Sequence, residues 1–162
     1  MKEKFYVDPK DIAKKFDIDV RPIKSEKIQT EWLGEIGHID NDLCGYIEKL
    51  ENGKVIIYYN PLHHENRQRF TIAHELAHFL LGHLDENHKL YRDTTKNFRS
   101  DMYDLKEINA NKMAASILMP EKTIRYLIFT KGITSIKELA KIMKVSELAM
   151  KYRLQNLGLI SG

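Results

Sequence analysis

Apolar residues recur along the chain with periods that change from segment to segment, and those changes mark the elements. Asp8 and Pro9 suit the cap and first position of a short helix whose apolar residues Ile12, Ala13 and Phe16 follow at helical spacing. Residues 43–50 and 55–59 are rich in β-branched and aromatic side chains, and Glu51-Asn52-Gly53-Lys54 between them carries an Asn-Gly turn signal, so a β-hairpin is predicted. After Asn60-Pro61 the period lengthens: Phe70, Ala73, Leu76, Ala77 and Leu80 place an apolar face on a helix over 65–81, with Gly82 as its stop. Residues 85–104 are polar without a sustained period and read as a long surface excursion, a feature that in compact domains is often functional. A second strong helix spans about 104–119, with Leu105, Ile108, Met113, Ala114, Ile117 and Leu118 apolar, and Pro120 ends it. Beyond Glu121 the pattern is helical only. Ser135 and Glu138 form a capping box for a helix through Met143, and Ser146 caps another that ends near Gly158.

This order predicts an α+β fold in which a small antiparallel sheet packs beside two long helices and a helical tail follows. The expected division is a main domain over 1–122 and a tail over 123–162. A length of 162 residues suits one compact domain with a small appendage. Hydrophobic residues at 43% and charged residues at 30% fit a globular chain rather than a disordered one. The net charge of +3 is far from the dense positive field of a protein that lives on phosphate contacts, so direct nucleic-acid binding is not expected. Cys44 is the single cysteine, which excludes an internal disulfide or a cysteine-based zinc site and fits a reducing compartment. The opening MKEKFYVDPK is polar, and the apolar runs at Phe79 to Leu81 and Ile117 to Met119 are too short for a bilayer. A cytoplasmic protein without a membrane partner is the expectation.

Candidate chemistry lies on the central helix. His74-Glu75-Leu76-Ala77-His78 is an H-E-x-x-H pattern. Residues four apart lie one above the other on a helix, so both imidazoles reach one ion, and the glutamate sits beside the ion's open position. A shuffled chain of this composition shows the pattern with a probability of about 0.02, so the pattern needs support from its surroundings. The flanks Phe70-Thr71-Ile72-Ala73 and Phe79-Leu80-Leu81 give it, because histidines do not interrupt an uncharged helix cheaply unless they have partners. The structural alternative is a pair of histidines hydrogen-bonded in a core. A catalytic zinc takes three protein ligands. Metzincin spacing would require glycine and histidine where this chain has Leu81 and Leu84, so His83 is expected to end the helix against its dipole rather than bind metal. Glu107 on the second helix is the better third ligand, with Asp101, Asp104 and Glu86 as alternatives. Asn111, one turn after Glu107, is placed to orient a ligand histidine.

The segments RQRFTIAHELAHFLLGH, from Arg67 to His83, and EINANKMAASILMP, from Glu107 to Pro120, together resemble the ImmA/IrrE family of bacterial metallopeptidases, as does the tail VSELAMKYRLQNLGL. The likeness runs from the hairpin to Leu159 and is weakest over 1–40 and 87–104. It implies a zincin-like, gluzincin-like core with one Zn2+ per chain, His74, His78 and Glu107 as ligands, Glu75 as catalytic base and Asn111 as the residue that orients a ligand. It also implies a helix-turn-helix transcriptional repressor as protein substrate, often from a phage or mobile element, whose cleavage derepresses genes. Many members carry E-x-E-A-N, whereas Asn109 stands here in place of the middle acid, so Glu107 has no acidic rival two residues away.

Other features carry weaker claims. Leu139-Ala140 through Leu154 resembles a helix-turn-helix, with Lys144 where a turn glycine is usual. Lys151, Arg153, Gln155 and Asn156 are available to bases, yet Leu148, Ala149, Tyr152, Leu154 and Leu157 ask for burial on the same short helix, so packing on the main domain is the favoured reading. Tyr91, Tyr103, His88 and Arg99 are candidates for stabilising an oxyanion. His38, His63, His64 and His88 lie in predicted turns or loops and receive no role. Lys89, Arg92, Lys96 and Arg99 alternate with Asp93 and Asp101 as a solvated loop does, and Trp32 reads as a core anchor. The rival to a peptidase is a regulator that binds a repressor or DNA around a structural metal site.

Overall fold

The computed structural model describes residues 3–24, 43–84, 90–94 and 105–162. In chain order these form α1 (Pro9–Lys15), β1 (Asp19–Pro22), β2 (Leu43–Lys49), β3 (Val55–Tyr59), α2 (Glu65–Leu80), β4 (Leu90–Thr94), α3 (Leu105–Leu118), α4 (Glu121–Phe129), α5 (Ile136–Met143) and α6 (Glu147–Asn156). Asp8 caps α1 by accepting from the Lys10 amide, with Pro9 as first residue. The hairpin β2–β3 forms as expected, and Gly53 at its turn has φ of 86°.

The sheet is larger than expected and is mixed. Its order is β1-β3-β2-β4, with β1 parallel to β3 while β2 runs antiparallel to both of its neighbours. An antiparallel sheet was expected because only the hairpin had a strand-like period. Strand β1 is four residues long and ends in Pro22, which an edge position tolerates because its outer side needs no ladder donor. Strand β4 lies within the polar stretch that was expected to be a surface excursion; at the opposite edge it is held by backbone pairing to β2. The rest of that stretch, and Trp32 and His38, lie outside the described residues.

Helix α2 lies against the sheet on one side and against α3 on the other. Toward the sheet, Ile72 and Leu76 join Ala13, Ile18, Ile47, Val55 and Ile57 in one buried cluster. Away from it, Ala73 joins a second cluster that runs through Ala114, Leu118, Ile124, Leu127, Leu139, Met143, Met150 and Leu154. Residues 71–78 are therefore buried all round, which explains the uncharged flanks of the motif. The helix is closed by a Schellman arrangement: Gly82, at φ of 75°, donates to the Phe79 carbonyl, and the His83 amide donates to the His78 carbonyl over 2.9 Å.

Two arginines fasten the tail. Arg69, buried on α2, donates Nε to the Lys144 carbonyl at 3.2 Å and Nη2 to the Val7 carbonyl. Its burial lowers its pKa, opposed by the nearby Asp8 and Glu65 carboxylates. Arg153 donates Nε to the Met119 carbonyl at 3.0 Å, and burial lowers its pKa as well. Helices α5 and α6 are capped by Ser135 and Ser146, as the sequence predicts. Between them Lys144 takes the left-handed conformation, with φ of 55° and ψ of 50°, usual for glycine. Leu148 and Tyr152, expected to be buried, are 57% and 55% exposed, because Met150 and Leu154 set the inward face of α6. No helix among the described residues is long and apolar enough to cross a membrane.

Candidate metal centre

His74 and His78 sit one turn apart on α2, their ring centroids 4.7 Å apart and their planes nearly perpendicular at 86°. Both present Nε2 to the same point, with the two nitrogens 3.1 Å apart. Helix α3 delivers Glu107 from its first turn to that point: Oε2 lies 3.0 Å from Nε2 of His74, and Oε1 lies 3.2 Å from Nε2 of His78. His74 and His78 are fully buried and Glu107 is 5% exposed. Among the described residues, these three form the group of side chains that could hold a metal ion.

The donor set fits a divalent cation. Ligand atoms bound at 2.0–2.1 Å around a tetrahedral ion lie about 3.3 Å from one another. The distances here are close to that value, so the three groups lie near enough to share one ion. A carboxylate taken out of water needs a positive charge beside it. An ion held by His74, His78 and Glu107 would supply that charge. Phe70 covers His74, with centroids 6.3 Å apart and planes 29° apart.

Glu75 follows His74 on α2 and is fully buried. Asn111 lies one turn after Glu107 on α3 and is half-buried. Of the alternatives to Glu107, Asp101, Asp104 and Glu86 lie outside the described residues. So do Tyr103, His88 and Arg99 among the oxyanion candidates, while Tyr91 lies in β4.

Two histidines do more than expected. Sequence places His83 only at the end of the helix, but its Nδ1 lies 2.8 Å from Nδ1 of His78. The reversal at Gly82 makes that contact, and a helical period contains no sign of it. His64, which received no role, caps α2: its Nδ1 accepts from the Asn66 amide at 3.0 Å. Neighbouring His63 lies 3.3 Å from the buried Asn60 amide. Histidine is not among the usual capping residues, so sequence carried no signal for the His64 cap.

A search of the curated proteins returns no match. The sequence does match the family model Peptidase_M78, described as the IrrE N-terminal-like domain, over residues 13–155, a span that takes in the sheet, both metal-site helices and nearly all of the tail. With His74, His78 and Glu107 gathered at one buried point inside that span, the chain belongs to the Peptidase_M78 family of IrrE N-terminal-like peptidases.

Proposed function

We propose that the protein is a zinc-dependent endopeptidase that cleaves a helix-turn-helix transcriptional repressor in the cytoplasm and so derepresses its genes, in the setting of a phage or mobile element. The convergence of His74, His78 and Glu107 beside buried Glu75, in a chain of this peptidase family, carries the reading. The choice of substrate rests on the resemblance to ImmA/IrrE proteins.

In this mechanism His74, His78 and Glu107 hold the ion, and a set of two imidazoles and a carboxylate suits zinc. Bound zinc supplies Lewis acidity, which lowers the pKa of a water to about 7 and polarises a peptide carbonyl. Glu75 accepts a proton from the water that attacks that carbonyl and returns it to the amine nitrogen as the C–N bond breaks. It follows His74 on α2 and is fully buried, where it would act on a water held by the ion. Asn111 orients a ligand from α3. The helix-turn-helix-like tail, residues 123–162, packs on the main domain through Ile124, Leu139, Met143 and Leu154 rather than reading DNA. Arg153, one of the side chains offered to bases, is engaged by the Met119 carbonyl.

The test is incubation of zinc-loaded protein with a candidate repressor, reading new fragments on a gel. Wild-type protein is expected to hold about one equivalent of zinc and to cut. Glu75→Gln is expected to keep the zinc and lose cleavage by at least about 100-fold. Proteolysis retained in that variant refutes the role of Glu75.

A further inference from the structure

We infer that His83 is a positioning residue for the metal site: its Nδ1 is the hydrogen-bond acceptor that holds His78 in the one neutral tautomer able to bind an ion through Nε2. The inference rests on the metal site proposed above and goes beyond its ligand set.

A neutral imidazole carries one proton, so a lone pair at Nε2 requires the proton at Nδ1. Nε2 of His78 is the atom that faces Nε2 of His74 and the Glu107 carboxylate. Its proton must therefore sit on Nδ1, which points at Nδ1 of His83 across 2.8 Å. Two nitrogens at that distance share one hydrogen, so His83 accepts through Nδ1 and carries its own proton on Nε2. The opposite arrangement, with His83 donating, would move the proton of His78 to Nε2 and block the ligand atom. His83 is not itself a ligand in this geometry: it meets His78 on the ring nitrogen that points away from the metal point.

The backbone makes this contact robust. His83 follows the helix end by only a few residues, and the left-handed turn at Gly82 folds it back over the last turn. Its amide donates to the carbonyl of His78, so His83 is tied to that residue through both main chain and side chain. The rings lie 5.0 Å apart at 57°, a tilt that lets an in-plane N–H reach the other ring's lone pair. Loss of the acceptor would leave a buried N–H to be satisfied some other way, and the nearest remedy is to shift the proton to Nε2, toward Glu107. That tautomer cannot bind the ion, so the cost falls on metal affinity.

The experiment measures zinc dissociation constants by chelator competition for the wild type, His83→Phe and His83→Gln. Phenylalanine keeps a flat ring without an acceptor, whereas glutamine keeps a neutral acceptor. His83→Phe is expected to bind zinc about 10–100-fold more weakly, with His83→Gln recovering most of that loss. The cobalt-substituted His83→Phe protein should also show an altered visible spectrum, because the imidazole donor has changed. Independently of any variant, nitrogen NMR of the zinc-loaded wild type should read His83 as the Nε2–H tautomer. His83→Phe binding within about twofold of wild type, or His83 found with its proton on Nδ1, overturns the inference. If the wild type takes up no zinc, the metal site itself falls, an outcome read before any variant is compared.

Discussion

Gly45→Ala should be among the most damaging single-methyl additions in the protein, and the reason is the closeness of α2 to the sheet. Gly45 is buried in β2, opposite Tyr59 of β3. A β-carbon there would lie 2.3 Å from the Tyr58 carbonyl oxygen and 2.6 Å from Cγ2 of Thr71. Carbon and oxygen in contact sit about 3.3 Å apart, so the Tyr58 carbonyl would have to retreat by about 1 Å. That oxygen belongs to a strand laddered on both sides, and no side-chain rotation can relieve the overlap. Thr71 is no freer: it is β-branched, fully buried, and one turn before His74 on α2. Overpacking costs 1–3 kcal/mol when side chains can adjust. With backbone as the obstacle, the expected loss is about 3 kcal/mol, or a fall in Tm of about 6–12 °C for a chain of this size. Gly53→Ala is the control: its φ of 86° is unfavourable, but nothing lies within 4 Å of the added carbon, so its cost should be about 1 kcal/mol. Urea unfolding in chelator, which removes any contribution from bound metal, compares the two directly. Adding Thr71→Ser to Gly45→Ala removes Cγ2 but not the carbonyl clash and should restore only part of the loss. A Gly45→Ala variant no less stable than Gly53→Ala would refute the claim that the helix–sheet approach depends on glycine.

Arg69→Met keeps the apolar stem and removes the donors to the Lys144 and Val7 carbonyls; urea unfolding should show a loss of about 2–4 kcal/mol, and Arg69→Lys should not restore it, because an ammonium group lacks the fork that spans two acceptors. At Lys144, whose φ is 55°, glycine should change stability by less than about 1 kcal/mol, because relief of the left-handed strain offsets the lost contact with the Tyr6 ring, 4.1 Å away. Lys144→Val should be about 2 kcal/mol worse than Lys144→Gly in the same assay, since β-branching is least tolerated at positive φ. Zinc at about 100 times its dissociation constant should raise Tm by about 5–10 °C over chelated protein, and Glu107→Ala should erase that difference in a thermal melt.

What sequence could read and what it could not divide along physical lines. The hairpin, α2 and α3 were legible because each has one dominant period, and the ends of α2 and α3 were marked by Gly82 and Pro120. His74 and His78 were legible because a metal pair on a helix is a local pattern. Glu107 was not fixed by spacing against Asp101, Asp104 or Glu86, because a ligand from another helix depends on tertiary packing; family resemblance singled it out, and the fold brings it to 3.0 Å from His74. Edge strands escaped for a different reason. β1 and β4 are short and joined to the sheet by backbone bonds that any sequence can make. In α6, apolar residues fall at 148, 149, 150, 152 and 154, so no period chooses a face; Met150 and Leu154, fully or almost fully buried, choose it. His83 depends on a chain reversal, which periodicity does not describe.

A boundary near residue 122 would pass through the second buried cluster. Ala73, adjacent to the first metal-site histidine, shares that cluster with Ile124, Leu127, Leu139, Met143, Met150 and Leu154, all beyond the boundary. Burial of a large apolar side chain contributes about 1.5–3 kcal/mol, so removing these six would forfeit roughly 9–18 kcal/mol of gross burial. The net stability of a whole domain is about 5–15 kcal/mol. A fragment of residues 1–122 would also lose the Arg69 bond to Lys144 and leave Ala114 and Leu118 of α3 facing water, on the helix that carries Glu107. Such a fragment is therefore expected to lack cooperative unfolding by circular dichroism and to bind zinc at least about 100-fold more weakly than the full chain. If it instead unfolds cooperatively and holds zinc as tightly as the full chain, the tail is an independent appendage, and the second cluster contributes nothing to the position of α2.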